Sequence, residues 1–591
     1  MRGVPLRKLA CLIGIIVLSG CGGGGGSSGE PPAFRVVSAS PANHQAEIPI
    51  GSAIRVSFNR DVDPSTIASG ISARSFIDDS PLPGTYSYDS PTKTATFSPN
   101  PPLAPLTEYT VTVGADIRSA GGEPLSAEYT CRFTTESSFW AYDFTNPANP
   151  MYLVPVTKVA EGAYCRIYLE NGKSVSQTAI DRVVDEFDRV IHPGVVGNFG
   201  DEPNPGADGI PKIFIVLLDI RDGYTPGGAA IGGYFYSVNE LPNAAAYPFG
   251  SPSNQKETFF MDIHPGDPSR PSFYNTLAHE FQHMVHWEQK ANRLGLRDDT
   301  WLDEAMSEIA PHCVGYGPSY GRVAIFESGT NRSDSLTDWG GGLKDYAVAY
   351  MWAQYMADRY PAGIFRSILA SSATGIASVE SYLGASFPET DFSSVFRDWS
   401  IAVFSGKDLA WTGHPEWSYR SISTRQGTYG GIQLPGITTT NNLNVDHLPA
   451  LPPWSVGYYW YTSQSADPAF TWNPSAPPVP WSSFYDWTTG GALSFDMVPG
   501  IPYRYGDAAV LMLQNACGSY AGSSTPVNLS VQGAHSALPS PLAKLAAVSE
   551  NKTSKRLSAA TGEPAWVCMQ DHLAERGKIL RGKIERKRNG R

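Results

Sequence analysis

The chain has 591 residues and a net charge of −12, and charged residues make up only 17% of it. A chain of this length is too long for one hydrophobic core, so several domains are expected. The acidic balance lacks the basic face of a nucleic-acid-binding protein, and no nucleic-acid partner is expected. With 58 glycines and 48 prolines, the composition favours loop-rich and β-rich structure over a helical bundle.

The first 21 residues predict export. Basic residues precede an apolar run over residues 9–18, which is followed by small residues, as in a secretory signal peptide. The run is too short to span a bilayer. Its end, "LSGC", resembles a bacterial lipobox, which implies that Cys21 is lipidated and anchors the protein to an envelope membrane, the outer membrane or cell surface being favoured. A plain secreted protein is the alternative. Residues 22–33 read as a flexible Gly/Ser linker.

Residues 34–136 predict an all-β domain. The stretches "AIRVSFN" and "EYTVTVG" alternate apolar and polar residues between turn residues, which is typical of half-buried strands. Several such strands close together indicate a β-sandwich. With "YTCRFTTE", these stretches resemble the bacterial Ig-like domains of exported proteins, which serve as spacers or adhesive modules.

Residues 137–415 predict an α+β domain, because buried strands are followed by helices. Apolar runs predict strands over 211–220 and 256–266. Apolar periodicity predicts helices near 180, over 272–290, from about 300, and over 343–360, 363–372 and 391–404. The stretch "FFMDI" is expected to be an edge strand that holds an extended peptide by β-addition.

The rest of the chain shows weaker periodicity of its apolar residues. Residues 416–535 predict a second β-rich domain, and residues 536–591 predict a basic, poorly ordered tail. No later stretch is apolar enough for a transmembrane helix. Outside the first 21 residues there are five cysteines without C-x-x-C spacing, which argues against a cysteine zinc site and permits at most two disulfides.

The stretch "TLAHEFQHMVHWEQK" carries three of the eleven histidines. On a helix that Ser272 would cap, His279 and His283 are four residues apart and share one face. Two imidazoles so placed can point at one metal ion, and Glu280 beside them is near enough to reach a water on that ion. The metal lowers the pKa of that water to roughly 7, so a carboxylate takes its proton at neutral pH. The alternative is a polar helix face without a metal.

A second stretch, "DDTWLDEAMSEIAPH", supplies a third ligand. Glu304 and Glu308 are again four residues apart on a predicted helix. One carboxylate can bind zinc, and the other can accept the free N–H of a ligand histidine and so fix its tautomer. Two such pairs on successive helices favour one zinc site over two solvated faces.

The pair "HEFQH" and "WLDEAMSE" resembles the gluzincin metallopeptidases, the thermolysin-like clan, and "LAHEFQHMVHW" after an Ig-like domain is most similar to the hyicolysin family. The resemblance implies His279, His283 and Glu304 as zinc ligands, Glu280 as general base and Glu308 as an outer-shell partner. The sequence departs at Asp303, where many relatives have Asn, and this is expected to leave the ligand set undisturbed.

One tyrosine, one histidine and one acidic loop are further candidates for a role at a site. The resemblance suggests Tyr346 as the donor to the oxyanion, with a core-packing tyrosine as an equal alternative. A metzincin site is excluded because His286 and Gln289 stand where that class needs Gly and His; His286 is therefore interpreted as structural, with an outer-shell role as the alternative. The acidic loop 201–211 is a weak candidate for Ca²⁺, but it lacks EF-hand spacing and a plain turn is favoured.

The sequence therefore predicts a multidomain protein with an N-terminal Ig-like sandwich, an α+β zincin metallopeptidase domain and a C-terminal β-rich domain. The predicted activity is hydrolysis of protein or peptide substrates by a lipid-anchored zinc endopeptidase, through a Glu280-activated zinc-bound water. One alternative is a surface adhesin or binding protein whose metal is structural. Another is a zinc hydrolase with an exopeptidase or non-protein substrate.

Overall fold

The computed structural model describes residues 32–76, 79–242, 251–328, 334–406, 414–423 and 448–462, and short strand segments between 438 and 532. The predicted signal peptide with Cys21, nearly all of the 22–33 linker and the 536–591 tail lie outside the described residues. Among the residues described, no helix combines the length and the apolar character that crossing a membrane requires.

The first domain is a sandwich of two four-stranded sheets, as the alternating pattern predicts. Its strands are β1 Val36–Ser40, β2 Gln45–Ile48, β3 Ile54–Phe58, β4 Ile71–Ser75, β5 Gly84–Asp89, β6 Thr94–Pro99, β7 Glu108–Val113 and β8 Tyr129–Thr135, with a short helix α1 Ile67–Gly70. One sheet has the order β1-β3-β6-β5 and the other β2-β8-β7-β4. The inward residues of both sheets, such as Val56 and Val111, form one buried core.

A six-stranded mixed sheet organises the next domain. Its strands are β9 Ser138–Tyr142, β10 Met151–Glu161, β11 Cys165–Glu170, β12 Ile213–Leu218, β13 Gly233–Phe235 and β14 Thr258–Asp262. Their order is β13-β14-β12-β11-β10-β9, and β11, β12 and β14 run parallel. All six residues of β12 are buried because both faces of the sheet are covered, which explains its continuous apolar run.

Helices cover one face of this sheet. They are α2 Gln177–Glu186, α3 His192–Phe199, α4 Pro271–Trp287, α5 Thr300–Cys313, α6 Tyr320–Phe326, α7 Leu343–Arg359, α8 Ile364–Leu369, α9 Gly375–Ser386 and α10 Phe392–Ser405. Helix α4 begins with Pro271 at its first position, a favoured place for proline, and its N-cap is Arg270, not the expected Ser272. Helices α6 and α9 were not predicted. Helices α4, α5 and α7 pack together at the centre of one large core.

The expected edge strand is wrong. The stretch "FFMDI" forms most of β14, which pairs with β12 on one side and with β13 on the other. The edge is β13, a strand of three residues that lies antiparallel to β14. Sequence reasoning missed β13 because three residues between glycine-rich loops carry too little alternation to read.

The C-terminal part contains strands, as expected from its composition. They are β15 Thr438–Thr440, β16 Leu448–Leu451, β17 Ser455–Thr462, β18 Ala469–Trp472, β19 Trp481–Asp486, β20 Gly491–Asp496, β21 Pro502–Arg504, β22 Ala508–Asn515, β23 Thr525–Val527 and β24 Leu529–Gln532. The largest sheet has the order β15-β17-β22-β19-β20. The proposed domain limits of 416 and 535 stay predictions.

The cysteines of the described residues form no disulfide. Cys131, Cys165 and Cys313 are free thiols. Cys131 lies in the core of the sandwich, whereas Cys165 begins β11 and lies in the separate core that the six-stranded sheet shares with the helices, so packing keeps these two apart. Of the two disulfides that the count permits, at most one between Cys517 and Cys568 remains, and both of these lie outside the described residues.

Candidate metal centre

Two histidines of α4 face one point. Their spacing places His279 and His283 one helical turn apart on the same face. The apolar stripe of α4, which includes Leu277 and Phe281, is fully buried in the core and so sets the orientation of the helix. The Nε2 atoms of the two imidazoles lie 3.1 Å apart. Both rings therefore direct a nitrogen toward a shared position.

Helix α5 brings the carboxylate of Glu304 to the same point. Its Oε2 lies 3.5 Å from Nε2 of His279 and 3.5 Å from Nε2 of His283. The side chain is fully buried, and neither carboxylate oxygen has a hydrogen-bond partner in the described part of the chain. Burying a carboxylate in this way is costly unless a cation compensates its charge. Within the described residues, these are the only three potential metal ligands whose atoms lie within 4.8 Å of one another.

The triangle of His279 Nε2, His283 Nε2 and Glu304 Oε2 fits a zinc ion. Zinc binds such ligands at about 2.0–2.1 Å, and a tetrahedral arrangement then separates neighbouring ligand atoms by about 3.3 Å. The separations of 3.1, 3.5 and 3.5 Å lie on both sides of this value. Burial alone raises the pKa of Glu304, but the imidazoles of His283 and His279 outweigh it and lower the pKa to about 2. The carboxylate is thus ionised at neutral pH, as a metal ligand must be.

Glu280 lies beside this triangle and is not one of its corners. Its side chain is 1% exposed, and its Oε2 has no hydrogen-bond partner among the described residues. Burial raises the pKa of Glu280, although the imidazoles of His279 and His283 partly offset the effect. A buried carboxylate with a raised pKa and an unused oxygen is suited to accept and return a proton.

The other ring nitrogen of His283 is held by helix α5. Nδ1 of His283 lies 2.9 Å from Asp303 Oδ1 and 2.9 Å from Ser307 Oγ. A carboxylate at Nδ1 favours the tautomer that leaves Nε2 free of a proton, which is the form that binds a metal. Asp303, which the sequence marked only as a departure from its relatives, is therefore the partner of His283. Its position directly before Glu304 is the sequence feature that could have indicated this contact.

Glu308, the expected partner of a ligand histidine, lies near His279 but does not hydrogen-bond to it. Its Oε1 lies 3.7 Å from Nδ1 of His279, which is too long for a hydrogen bond. Arg322 donates two hydrogen bonds to the same carboxylate, at 2.8 and 2.6 Å. Such a bidentate pair fixes the carboxylate near His279. Sequence reasoning missed Arg322 because α6 lies outside both motifs.

Tyr346 is fully buried at the start of α7. Its ring meets the ring of Trp339 edge to face at 4.9 Å between centroids, and the guanidinium of Arg322 lies 5.2 Å from its centroid. Tyr346 therefore shares Arg322 with Glu308 and lies in the surroundings of the triangle. Its role as a donor to the oxyanion stays a prediction.

The third histidine of α4 is not part of the triangle. Nε2 of His286 bonds to Asp298 Oδ2 at 3.1 Å, and its Nδ1 lies 3.2 Å from Asp303 Oδ1. Both its ring nitrogens thus lie against aspartates. This placement agrees with the interpretation of His286 as structural, and it leaves the alternative of an outer-shell role open, because Asp303 also contacts His283.

The acidic loop 201–211 does not gather its side chains at one point. Glu202 bonds through Oε1 to His192 Nε2 at 2.9 Å, whereas Asp208 is buried elsewhere, near Glu257. Within the described ranges, the His/His/Glu triangle is the one group with metal-binding geometry. The structure therefore gives no support to Ca²⁺ at this loop.

Asp208 instead joins a buried acidic cluster with Glu240 and Glu257. Each of the three has one carboxylate oxygen without a hydrogen-bond partner among the described residues. Burial, followed by the charge of Asp208, raises the pKa of Glu257 to about 7. Burial and the neighbouring Glu257 also raise the pKa of Glu240 well above its usual value. The folded protein thus holds protons here that the unfolded chain releases at lower pH.

This cluster predicts a pH-dependent stability. Because the folded pKa of Glu257 is raised, its favourable contribution is complete below the unfolded pKa and is lost as pH rises from about 4.5 to about 7. Glu257→Gln, which is neutral throughout, is expected to stabilise the protein relative to wild type at pH 8 by on the order of 2 kcal/mol, and much less at pH 5.

Urea unfolding at pH 5 and pH 8 measures this difference. Exposed Glu128 provides the matched control, since Glu128→Gln is expected to change stability equally little at both values. An equal effect of Glu257→Gln at the two pH values would contradict the raised pKa.

Comparisons with known proteins agree with two parts of this description. Residues 30–135 match the family model of the bacterial Ig-like domain. The neutral metalloprotease ShpI of Staphylococcus hyicus is 31% identical over 229 residues, which cover 34% of this chain and 50% of ShpI. The chain therefore spans about half the length of this relative.

Two solved structures that resemble this chain cover a small part of it. The surface layer protein SbsC, domains 1–6, is 20% identical, with 19% of this chain and 14% of that chain covered and a TM-score of 0.15. CopC from Methylosinus trichosporium OB3b is 20% identical, with 17% of this chain and 92% of that chain covered and a TM-score of 0.14. No conclusion about this chain rests on likenesses at these scores.

Proposed function

We propose that the protein is an exported, zinc-dependent endopeptidase. The observation that carries the proposal is the convergence of His279, His283 and Glu304 on one buried point, with the unpartnered carboxylate oxygen of Glu280 beside it. The partial similarity to a neutral metalloprotease supports the same class of activity. The role proposed for each residue follows from the resemblance of the two motifs to gluzincins.

His279, His283 and Glu304 would hold the zinc ion. When bound, zinc polarises a water molecule, lowering its pKa to about 7, and stabilises negative charge on the substrate carbonyl oxygen. Three protein ligands are the number found in catalytic zinc sites, which keep one position for water, whereas structural sites use four. This number favours the enzyme over the alternative of an adhesin with a structural metal.

Glu280 would act as general base and then as general acid. Its buried carboxylate accepts a proton from the attacking water and returns it to the leaving amine of the substrate. The raised pKa that burial gives Glu280 brings it closer to neutrality, where both transfers are efficient. A structural metal site has no use for such a group.

The edge strand β13 would bind the substrate. In the described sheet β13 pairs only with β14, so its outer side has no neighbouring strand there and could take an extended peptide, although the N–H of Phe235 already bonds the Glu280 carboxylate. Glu280 lies directly beside this strand: a β-carbon on Gly233 would lie 3.0 Å from Cγ of Glu280. A peptide added to β13 would therefore lie next to the proposed base. Peptide binding through backbone groups favours cleavage within chains over an exopeptidase, for which the sequence has no amine-binding acidic motif.

Gly233 is predicted to be needed for this close approach. A β-carbon at position 233 would lie 2.9 Å from the carbonyl oxygen of Phe260, which is rigid backbone, so the strand or Glu280 must shift. Gly233→Ala is expected to lower kcat/KM by on the order of 10- to 100-fold, because displacement by a fraction of an ångström disturbs the reacting geometry.

Zinc content and peptidase rates of the variant measure this effect. Gly197→Ala in α3 is the matched control, since a β-carbon there meets open space. Full activity of Gly233→Ala would show that β13 and Glu280 do not need their close contact.

The cellular location rests on the sequence and the domain match. The bacterial Ig-like domain agrees with a protein of the cell exterior or envelope. Lipidation of Cys21 and attachment to a membrane are the finer part of the proposal, and they rest on the lipobox alone.

Cleavage of an unfolded protein by the zinc-loaded full chain tests the proposed function. Fragments that end at internal peptide bonds are expected. Release of single terminal residues would favour the exopeptidase alternative. No cleavage by a protein that holds one zinc ion would favour the binding protein with a structural metal.

A further inference from the structure

A chain of buried polar contacts leads from His283 away from the candidate metal position. Asp303 Oδ1 contacts Nδ1 of His283 at 2.9 Å and Nδ1 of His286 at 3.2 Å. The first contact is a hydrogen bond, and the second is a close polar contact without hydrogen-bond alignment. One carboxylate oxygen thus links a proposed zinc ligand to a histidine one turn further along α4.

His286 is anchored in turn by Asp298. Its Nε2 bonds to Asp298 Oδ2 at 3.1 Å, and only 2–3% of either side chain is exposed. Asp298 Oδ1 accepts hydrogen bonds from the backbone N–H of Gly375 at 2.6 Å and of Asp299 at 3.0 Å. The bond to Gly375 ties Asp298 to the beginning of α9, which contributes no ligand.

Asp298 is buried together with a lysine of opposite charge. Lys290 Nζ lies 3.9 Å from Asp298 Oδ2 and donates hydrogen bonds to the carbonyls of Ser371 and Ala373 at 2.8 and 2.7 Å. Burial favours a raised pKa for Asp298, but the hydrogen bond and charge of His286 outweigh it and lower the pKa. Asp298 and His286 are therefore buried together as a hydrogen-bonded pair.

We propose that His286 and Asp298 are positioning residues of the metal centre, which hold Asp303 against His283 and so keep the Nε2 lone pair of His283 directed at the zinc ion. This inference rests on the proposed function. Without His286, nothing described on its side of Asp303 keeps that carboxylate in place, and Ser307 Oγ, also 2.9 Å from Nδ1 of His283, would become its neutral partner. A neutral partner polarises the ligand imidazole less than a carboxylate does.

The test measures the zinc dissociation constant of the full chain by competition with a chelator. His286→Leu, which removes both contacts, is expected to raise this constant by about 10- to 100-fold, the usual cost of an outer-shell partner. His286→Asn keeps a polar side-chain atom near the position of Nδ1, against Asp303, and is expected to restore most of the affinity. Asp298→Asn, a smaller change, is expected to weaken zinc binding several-fold.

A merely structural role for His286 gives a different result. Unfolding of the zinc-free variants measures such a role directly, and His286→Leu would then lower that stability without changing zinc affinity. His312→Leu on α5 is the matched control, because His312 contacts Gln354 and Asp358 lies near it, away from the triangle. It is expected to leave zinc affinity unchanged.

The outcomes separate this inference from the proposed function. If wild type binds zinc no more tightly than His283→Ala, the proposed zinc site itself is wrong. If wild type binds zinc tightly and His286→Leu and Asp298→Asn bind it equally tightly, the site stands and the positioning role is overturned. Equal loss in His286→Leu and His286→Asn would also overturn it, because the contact with Asp303 would then be irrelevant.

Discussion

Glu280→Ala is expected to retain one zinc ion and to lose peptidase activity. Glu280 is not one of the three atoms that converge on the zinc position, so its removal leaves the ligand set intact. It removes the proposed general base, and general acid–base catalysis typically contributes 10²- to 10⁴-fold. We therefore expect kcat to fall by on the order of 10²- to 10⁴-fold, measured on an unfolded protein together with zinc content.

A second glutamate of the same chain segment gives the control. Glu288 follows α4 two turns after Glu280, is also buried, and pairs with Arg293 at 2.7 Å. Glu288→Ala removes a buried carboxylate without touching the triangle, so it is expected to keep its activity wherever it folds. Undiminished activity of Glu280→Ala would exclude Glu280 as the base. Loss of zinc from Glu280→Ala would instead mean that Glu280 takes part in metal binding.

His283→Ala is expected to lose both zinc and activity. His283 is fully buried and contributes one corner of the triangle, so its removal leaves only two of the three ligands. The loss in zinc affinity should exceed the roughly 10- to 100-fold that an outer-shell partner costs. Zinc content after dialysis against a weak chelator, together with the peptidase rate, measures both effects.

His192 provides a matched control for His283→Ala. It is also buried and bonds to a carboxylate, that of Glu202 at 2.9 Å, but it lies outside the triangle. His192→Gln keeps a polar group opposite Glu202, and we expect it to bind zinc as wild type does. Stoichiometric zinc in His283→Ala, with a folded circular-dichroism spectrum, would contradict the assigned ligand set.

Much of the fold and of the candidate site can be predicted from local sequence patterns. The alternation in "EYTVTV" predicts a strand because every second side chain of β7 is buried in the sandwich. The four-residue spacing of His279 and His283 predicts a shared face because one helical turn contains 3.6 residues. Such relations depend on neighbours in sequence, so they can be read before the fold is known.

Contacts between distant segments could not be read in this way. Nothing near Asp298 in sequence indicates that it reaches His286, because the loop after α4 has to reverse before α5 begins. Arg322 reaches Glu308 from a separate helix, and Gly233 reaches Glu280 from a strand that precedes it by 47 positions, 280 − 233. The edge of the sheet was misassigned for the same reason, since strand order depends on pairing between remote segments.

Sequence patterns alone indicate which chemistry is available: two histidines and a glutamate on one helix, two glutamates on another, and an Ig-like sandwich before them. These follow from helical and strand periodicity, which are properties of the local backbone. The partners of these groups became visible in the folded chain alone: the aspartate that holds His283, the arginine that holds Glu308 and the strand that borders Glu280. Those contacts depend on how α4, α5 and the sheet pack into a common core, and packing is set by the whole chain at once.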